Sequence, residues 1–167
     1  MFAGDTMAGK TTKTNAVRIA EQAGIAVREA FYEFDENDLG GMHAAEALGM
    51  DPEQVFKTLV ARGEKTGFNV FCVPVCHTLD LKKAAKAAGD KNMELIPMKD
   101  LLSVTGYIRG GCSPVGMKKK FPTFIEETAQ LFDEIAVSAG ARGHQMLLDP
   151  GQLAALVDAA FVPLTDE

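Results

Sequence analysis

The sequence predicts a mixed α/β fold of the α+β type, in which helices surround a mixed or antiparallel β-sheet that can close into a barrel. Three observations support this fold class. The chain has 167 residues, the usual size of one domain. Its helical and β-rich segments follow one another without the strict alternation of a doubly wound parallel sheet. It contains no internal repeat, so we expect a single compact domain.

Helix signals occur at five places. Thr14 or Asn15, Asp80 and Asp149 are residues that commonly begin a helix, and Pro150 suits a first helical turn. Glycines that commonly end helices follow three of the segments. The predicted helices span about 14–23, 43–48, 81–88, 98–103 and 150–159.

Strand signals are β-rich runs bounded by turn residues. The predicted strands span 25–34, 55–60, 68–76, 93–96, 122–126, 134–138 and 145–148. Runs 55–60 and 68–76 flank a short glycine-bounded loop, which indicates a hairpin of adjacent strands. Pro74 predicts an edge or a bulge for its strand. Residues 105–116 contain four glycines and a proline, so we expect a shaped loop there.

Composition and charge narrow the class of protein. The chain is 47% hydrophobic and 24% charged, which is typical of soluble globular proteins. No apolar run approaches the roughly 20 residues of a membrane helix, and the N-terminus lacks a signal-peptide layout, so we expect a cytoplasmic protein that does not bind membranes. The net charge of −6 argues against a surface that attracts nucleic acid everywhere, and no DNA partner is expected.

Two clusters of lysines are candidates for a local basic surface. One lies around the predicted helix 81–88, and the other is a run of three after the glycine-rich loop. Each is either a solvated face or a contact surface for nucleic acid. The residues are Lys82, Lys83, Lys86 and Lys91, and Lys118, Lys119 and Lys120.

The segment Gly4–Thr11 matches the Walker A pattern G-x-x-x-x-G-K-[ST]. A phosphate-binding loop of this kind requires a buried strand before it, and only three residues precede Gly4. We therefore interpret the match as a coincidence within a flexible N-terminus, residues 1–13, that precedes the domain at 14–167.

The cysteines and histidines do not predict a metal centre or a nucleophile. Cys72, Cys76 and Cys112 contain no CxxC pair, so we expect reduced thiols. Strand alternation places Cys72 and Cys76 on one face and His77 on the other. The three histidines lie near no G-x-S-x-G pattern. We expect no metal, no cofactor and no conventional protein nucleophile.

Two other features are candidates for a site. Alternation places Lys57 on the same strand face as Val55 and Leu59. This lysine either extends to water at an edge or is a cation in a cleft wall that binds phosphate or polarises an ester carbonyl. The pair Gly110 and Gly111 either forms a tight turn or lets backbone groups approach a ligand closely.

Four stretches together carry a family resemblance. They are FKTL at 56–59, LDLKKAAK at 79–86, SVTGYIRGGCSPVGMKK at 103–119 and VSAGARG at 137–143. In this order they resemble the YbaK/EbsC family of trans-acting aminoacyl-tRNA deacylases, relatives of the editing domain of bacterial prolyl-tRNA synthetases. The resemblance runs from about residue 13 to 161. It implies the editing-domain fold, a compact domain around a mixed, barrel-like sheet with one small cleft.

The resemblance also implies an activity, partners and site residues. The activity is release of the amino acid from mischarged tRNA, most typically Cys-tRNA(Pro), with a thiolactone formed by the thiol of the substrate. The implied partner is the acceptor end of the tRNA; because the acidic net charge weakens binding of free tRNA, we also expect help from prolyl-tRNA synthetase. By position, the catalytic residues are Lys57 and Gly110, and the substrate-binding residues are Tyr32, Thr58, Gly111 and Ser138.

The chain departs from the family pattern at two places. The loop between Tyr32 and His43 aligns only with a gap, and Gln145 replaces an acidic residue of some members. Two other functions stay open at this point. One is deacylation of Ala-tRNA(Pro), and the other is a non-catalytic module that binds tRNA or a synthetase.

Overall fold

The computed structural model describes residues 13–166. The Walker-like segment and all but the last residue of the predicted flexible N-terminus lie outside the described residues. No helix in the described part of the chain is long and apolar enough to cross a membrane.

Three of the described α-helices begin at the residues that carry the capping signals. Side-chain oxygens of Thr14, Asp80 and Asp149 accept hydrogen bonds from backbone amides of the first turns of three helices. The α-helices of the described chain are α1 (Asn15–Gln22), α2 (Gly41–Leu48), α3 (Leu81–Ala88), α4 (Leu101–Thr105) and α5 (Pro150–Val157), with 3-10 turns at Met98–Asp100 and Glu127–Leu131.

The strands form two sheets. They are β1 (Arg28–Phe31), β2 (Phe56–Gly63), β3 (Gly67–Pro74), β4 (Glu94–Leu95), β5 (Thr123–Glu126), β6 (Ile135–Ala141), β7 (His144–Leu148) and β8 (Ala159–Val162). The larger sheet has the order β4-β2-β3-β5-β8, and the smaller has the order β1-β7-β6. Strands β2 and β3 form the predicted antiparallel hairpin, whereas β3–β5 and β5–β8 pair in parallel. The predicted mixed α+β fold is confirmed.

The barrel-like closure is not confirmed, because both sheets are open. They meet at an isolated parallel bridge between Val55 and Ala136. The Ala136 amide donates to the Gln54 carbonyl at 3.0 Å, and the Gln54 side-chain amide donates to the Glu134 carbonyl at 2.8 Å. A core cluster fills the space between the sheets, with Phe56 from the larger sheet and Met146 from the smaller one.

Three local predictions, two for β3 and one for α5, were wrong. Strand β3 ends at Pro74 rather than at residue 76, and it is an inner strand between β2 and β5 instead of an edge. The next amide, of Val75, donates to the Val55 carbonyl, so the N–H that Pro74 lacks would face the other side of the strand, where the pairing with β5 has already ended at Cys72. The helix predicted to residue 159 ends at Val157, since Asp158 adopts a left-handed conformation with φ 56°. The chain then forms β8.

A buried carboxylate attaches the C-terminal segment to the larger sheet. Glu126 is 3% exposed, and its Oε1 accepts hydrogen bonds from the backbone amides of Leu164 at 2.8 Å and Thr165 at 3.2 Å. Its Oε2 accepts from the Thr128 amide at 3.1 Å. One side chain therefore satisfies three backbone donors, two of which are distant in sequence.

We expect Glu126→Ala to lower the free energy of unfolding by at least about 1–3 kcal/mol, because it leaves buried amides without an acceptor. Urea denaturation measures this change. The neighbouring Glu127 is exposed, so Glu127→Ala is the matched control and should stay within about 0.5 kcal/mol of the parent. Equal stability of the two variants would refute the structural role of Glu126.

Candidate active site

A cleft of about 280 Å³ opens where the two sheets meet. This volume lies just below the roughly 300–1,000 Å³ of pockets for drug-sized ligands, so the cleft suits a small group such as an aminoacyl moiety. Its walls come from the loop before α2, strand β2, the turn after β3, α4, the glycine-rich loop and the hairpin of β6 and β7. The lining residues are Tyr32, Leu39, Gly40, Gly41, Ala44, Val55, Phe56, Lys57, Thr58, Leu59, Val75, Met98, Leu101, Arg109, Gly110, Cys112, Ser138 and Gln145.

The structure brings five of the six predicted site residues to this cleft. They come from four separate parts of the chain and are Tyr32, Lys57, Thr58, Gly110 and Ser138. Gly111 is not among the lining residues. Its Cα packs against the turn after β6, where an added Cβ would lie 3.2 Å from the Ala141 carbonyl carbon and the Arg142 amide nitrogen.

Lys57 is half-buried in the cleft wall. Strand β2 contacts partners on both faces, and its register places Lys57 opposite Val73 and Thr58 opposite Cys72. Both polar residues are only partly exposed, whereas the alternation alone left open whether Lys57 extends to water or lies in a cleft wall. Burial lowers the pKa of the Lys57 ammonium group, and the charge of Cys76 partly opposes this shift. A partly desolvated cation interacts more strongly with a ligand charge than a cation in open solvent does.

Gly110 lies on the opposite side of the cleft, and its backbone has a left-handed conformation that few other residues adopt. Its φ is +87°, and an added Cβ would lie 3.2 Å from Leu39 Cδ2. The preceding carbonyl, of Arg109, accepts a hydrogen bond from Arg142 Nε at 2.9 Å, which holds the loop against the β6–β7 hairpin. Gly110 therefore shapes the cleft by conformation and by the lack of a side chain.

Three lining residues were missed as site residues by sequence reasoning. Arg109 adds an exposed cation to the rim. Cys112 is a buried thiol in the wall, 9% exposed. Gln145 is 6% exposed, and its Oε1 is buried without a hydrogen-bond partner among the described residues. Gln145 was noticed only as a departure from the family pattern, and no local signal indicates that the other two face the cleft.

The lining residues do not include an activated protein nucleophile. None of the histidines lines the cleft. The Ser138 hydroxyl accepts a hydrogen bond from the Gly140 amide at 3.1 Å. Burial raises the pKa of the Cys112 thiol to about 11, so this thiol is protonated near neutral pH and is a poor nucleophile.

The predicted placement of Cys76 and His77 was wrong. Because β3 ends at Pro74, both residues lie in the following turn and not on opposite strand faces. The turn brings ligand atoms of Cys76, His77 and Glu53 within 4.8 Å of one another. Cys72 is fully buried within β3, where its thiol lies 3.8 Å from the Thr58 hydroxyl.

Both lysine clusters contain ammonium groups that contact acceptors of the protein itself. Lys83 donates to the Thr165 carbonyl at 2.6 Å, and Lys120 pairs with Asp158. Lys118 lies above the last turn of α4, with its Nζ 3.4 Å from the Ser103 carbonyl. The run at 118–120 thus continues from the glycine-rich loop that forms one cleft wall.

Fold and cleft together define a small α+β domain with a small cleft whose lining includes two cations and a left-handed glycine, and no histidine. The chain belongs to the aminoacyl-tRNA editing domain family, whose model matches residues 42–156.

Individual proteins agree with this membership. The chain is 47% identical, over 95% of its own length and 98% of the relative, to a protein of Enterococcus faecalis (strain ATCC 700802 / V583) provisionally named Cys-tRNA(Pro)/Cys-tRNA(Cys) deacylase EbsC. It is 28% identical to proline–tRNA ligase of Shouchella clausii (strain KSM-K16) over 65% of this chain and 19% of the ligase. A crystal structure described provisionally as a trans-editing enzyme for prolyl-tRNA synthetase superposes with a TM-score of 0.75 at 25% identity, covering 93% of this chain and all of that one.

Gly110→Ala tests whether the backbone of the glycine-rich loop shapes the site. We expect a loss of deacylation of about ten- to hundredfold, since small misplacements of reacting groups have effects of this size. Gly24→Ala is the matched control, because Gly24 has φ +86° and an added Cβ there would meet no atom within 4 Å. Both variants should lose similar stability, about 1–2 kcal/mol. A comparable loss of activity in Gly24→Ala would show that strain alone, and not cleft shape, is responsible.

Proposed function

We propose that this protein is a trans-acting editing enzyme that deacylates Cys-tRNA(Pro), and also Cys-tRNA(Cys). The observation that carries the proposal is a small cleft with a half-buried lysine on one wall, a left-handed glycine on the other and no activated nucleophile. The family membership and the name of the E. faecalis relative support the substrate class.

The cations of the cleft orient the substrate. Lys57 binds the terminal phosphate or the ester carbonyl of the aminoacylated adenosine, and Arg109 on the rim attracts the phosphate backbone. Tyr32 at the mouth offers a ring face and a hydroxyl group to the terminal nucleoside. Each of these contacts places the ester without taking part in bond formation.

Neutral groups hold the amino acid. The Thr58 and Ser138 hydroxyls provide hydrogen bonds near the side chain and carbonyl of the aminoacyl group. The buried Oε1 of Gln145 accepts a hydrogen bond from the α-ammonium group, which gives this atom the partner it lacks among the described residues. The Gly110 backbone approaches the ester closely, while Gly111 supports the loop behind it.

The thiol of the substrate supplies the nucleophile. The cysteinyl sulfur attacks its own ester carbonyl carbon, so a sulfur–carbon bond forms and the bond between that carbon and the ribose oxygen breaks. The thiol proton ends on the leaving ribose oxygen. The products are uncharged tRNA and a cyclic thioester, which water hydrolyses to cysteine. The ester is already activated, so the protein contributes orientation and charge stabilisation.

This chemistry provides selectivity that binding alone cannot. Proline, alanine and cysteine differ by little more than one or two heavy atoms, and a pocket separates such side chains by only about 1–3 kcal/mol. A reaction that requires a thiol leaves alanine and proline esters intact even when they enter the cleft. No metal or organic cofactor takes part in this mechanism.

Binding of the tRNA is the second requirement. The net charge of −6 weakens the attraction for free tRNA, so prolyl-tRNA synthetase assists delivery of the mischarged product. The run Lys118–Lys120 beside the glycine-rich loop is the basic surface that contacts the acceptor stem. With these partners the protein works in the cytoplasm, where aminoacylation takes place.

A panel of mischarged tRNAs tests the proposed function. We expect the full-length protein to release cysteine from tRNA(Pro) and tRNA(Cys) at least about tenfold faster than alanine from tRNA(Pro), since only cysteine supplies the nucleophile. Release is measured as the half-life of each ester in single turnover. Equal release of alanine would exclude the thiol mechanism, and binding of tRNA without a shorter half-life would indicate a non-catalytic module.

Substitution of Lys57 tests the role of the half-buried cation. Lys57→Met keeps most of the aliphatic stem, so we expect a folded protein whose deacylation falls about a hundred- to thousandfold, equivalent to roughly 2.7–4 kcal/mol of transition-state stabilisation. Lys65 lies at the exposed loop of the same hairpin, and Lys65→Met should leave the rate unchanged. Lys57→Arg retains activity if the cation anchors a phosphate and loses it if the charge must reach one carbonyl oxygen. Normal turnover by Lys57→Met would show that Lys57 has no role in the reaction.

A further inference from the structure

Two short turns lie side by side behind the cleft wall. The first is closed by a hydrogen bond from the Gln54 amide to the Asp51 carbonyl at 2.8 Å, and the second by one from the His77 amide to the Pro74 carbonyl at 3.0 Å. A further bond, from the Val75 amide to the Val55 carbonyl at 2.8 Å, joins the two segments. The backbone therefore fixes the relative position of the side chains that the turns carry.

Three side chains on these turns carry ligand atoms of mixed type. The Cys76 thiol, a His77 ring nitrogen and a Glu53 carboxylate oxygen lie within 4.8 Å of one another. His77 Nε2 is 2.9 Å from Oε1 and 3.0 Å from Oε2 of Glu53. A tetrahedral zinc ion with bonds of about 2.0–2.3 Å holds its ligand atoms roughly 3.3–3.8 Å apart. Small rotations of three partly or fully exposed side chains reach this geometry.

We propose that Glu53, Cys76 and His77 form a zinc-binding site with a fourth position open to solvent. The donor set identifies the class of ion, because a thiolate with an imidazole suits zinc and similar transition metals, whereas magnesium and calcium take oxygen ligands. On binding, a zinc–sulfur bond replaces the sulfur–hydrogen bond of Cys76, and the released proton passes to solvent.

The position of this site indicates what the ion does. Val55, which follows the first turn, and Val75, which lies within the second, line the cleft from the other side. The ion therefore clamps the segment before β2 to the turn after β3 and stiffens one wall of the cleft. It stays outside the cleft, so the proposed thiol chemistry does not require it, and the inference is independent of the proposed function.

The test uses the full-length protein freed of metal by EDTA and dialysis, with cobalt(II) as an optical probe and zinc as the competitor. We expect about one cobalt ion per chain and a near-ultraviolet thiolate-to-cobalt absorption band. Zinc should displace the cobalt and raise the melting temperature.

Variants then assign the ligands. Cys76→Ser should abolish the thiolate band, and both Cys76→Ser and His77→Ala should weaken zinc binding at least about a hundredfold, because loss of an outer partner alone weakens it by about 10- to 100-fold. The matched control is His43→Ala, since the His43 ring also lies near a carboxylate, that of Asp38 at 3.5 Å. This control should bind zinc normally.

Three results would overturn the proposal. They are cobalt binding without a thiolate band, unchanged zinc affinity in Cys76→Ser, and an equal loss of affinity in His43→Ala. Any of these results would show that His77 and Glu53 form an ordinary surface pair and that the Cys76 thiol does not bind the metal. Because these measurements involve no tRNA, their failure does not affect the case for deacylation.

Discussion

The bridge between Val55 and Ala136 is the constraint on which the site depends. It joins two open sheets that otherwise have separate strand orders, and hydrogen bonds from Ala136 and from the Gln54 side chain strengthen it. The cleft lies at this junction, since Val55 itself lines it. Lys57 follows the bridge by two residues on one side, and Ser138 follows it by two on the other. Residues on facing walls are thus positioned by one backbone contact.

The burial of Lys57 has a physical consequence for the kind of chemistry that the cleft supports. Removing an ammonium group partly from water disfavours its charged form, which is why its pKa falls. That cost is offset when an anionic or polarised ligand enters. The same desolvation acts oppositely on Cys112, whose pKa of about 11 keeps the thiol protonated. Desolvation in the cleft therefore makes the Lys57 charge costly until a ligand charge offsets that cost, and it keeps the Cys112 thiol in its poorly nucleophilic, protonated form.

Local signals in the sequence predicted what depends on local physics. The cap at Asp80 and the stop at Gly89 match α3. Alternation in β2 placed Lys57 on the same strand face as Val55 and Leu59, but its burial depends on tertiary packing. Strand β8 was missed because it forms by parallel pairing with β5, and residues near β8 in the sequence carry no signal for this distant pairing. Cys112 and Gln145 reach the cleft through tertiary packing. The cluster around Cys76 was missed because alternation was extended past Pro74, where the strand ends.

In the proposed mechanism the protein positions the cysteinyl ester, and the thiol of the cysteinyl group cleaves the ester bond. The most direct measurement compares cysteine with 2-aminobutyrate, which replaces the thiol by a methyl group of similar size, on the same tRNA(Pro). We expect both esters to bind with similar affinity, while 2-aminobutyrate is released about a hundredfold more slowly or worse, because the intramolecular nucleophile is absent. Release of both amino acids at the same rate would contradict this mechanism and would require a nucleophile from the protein or from water.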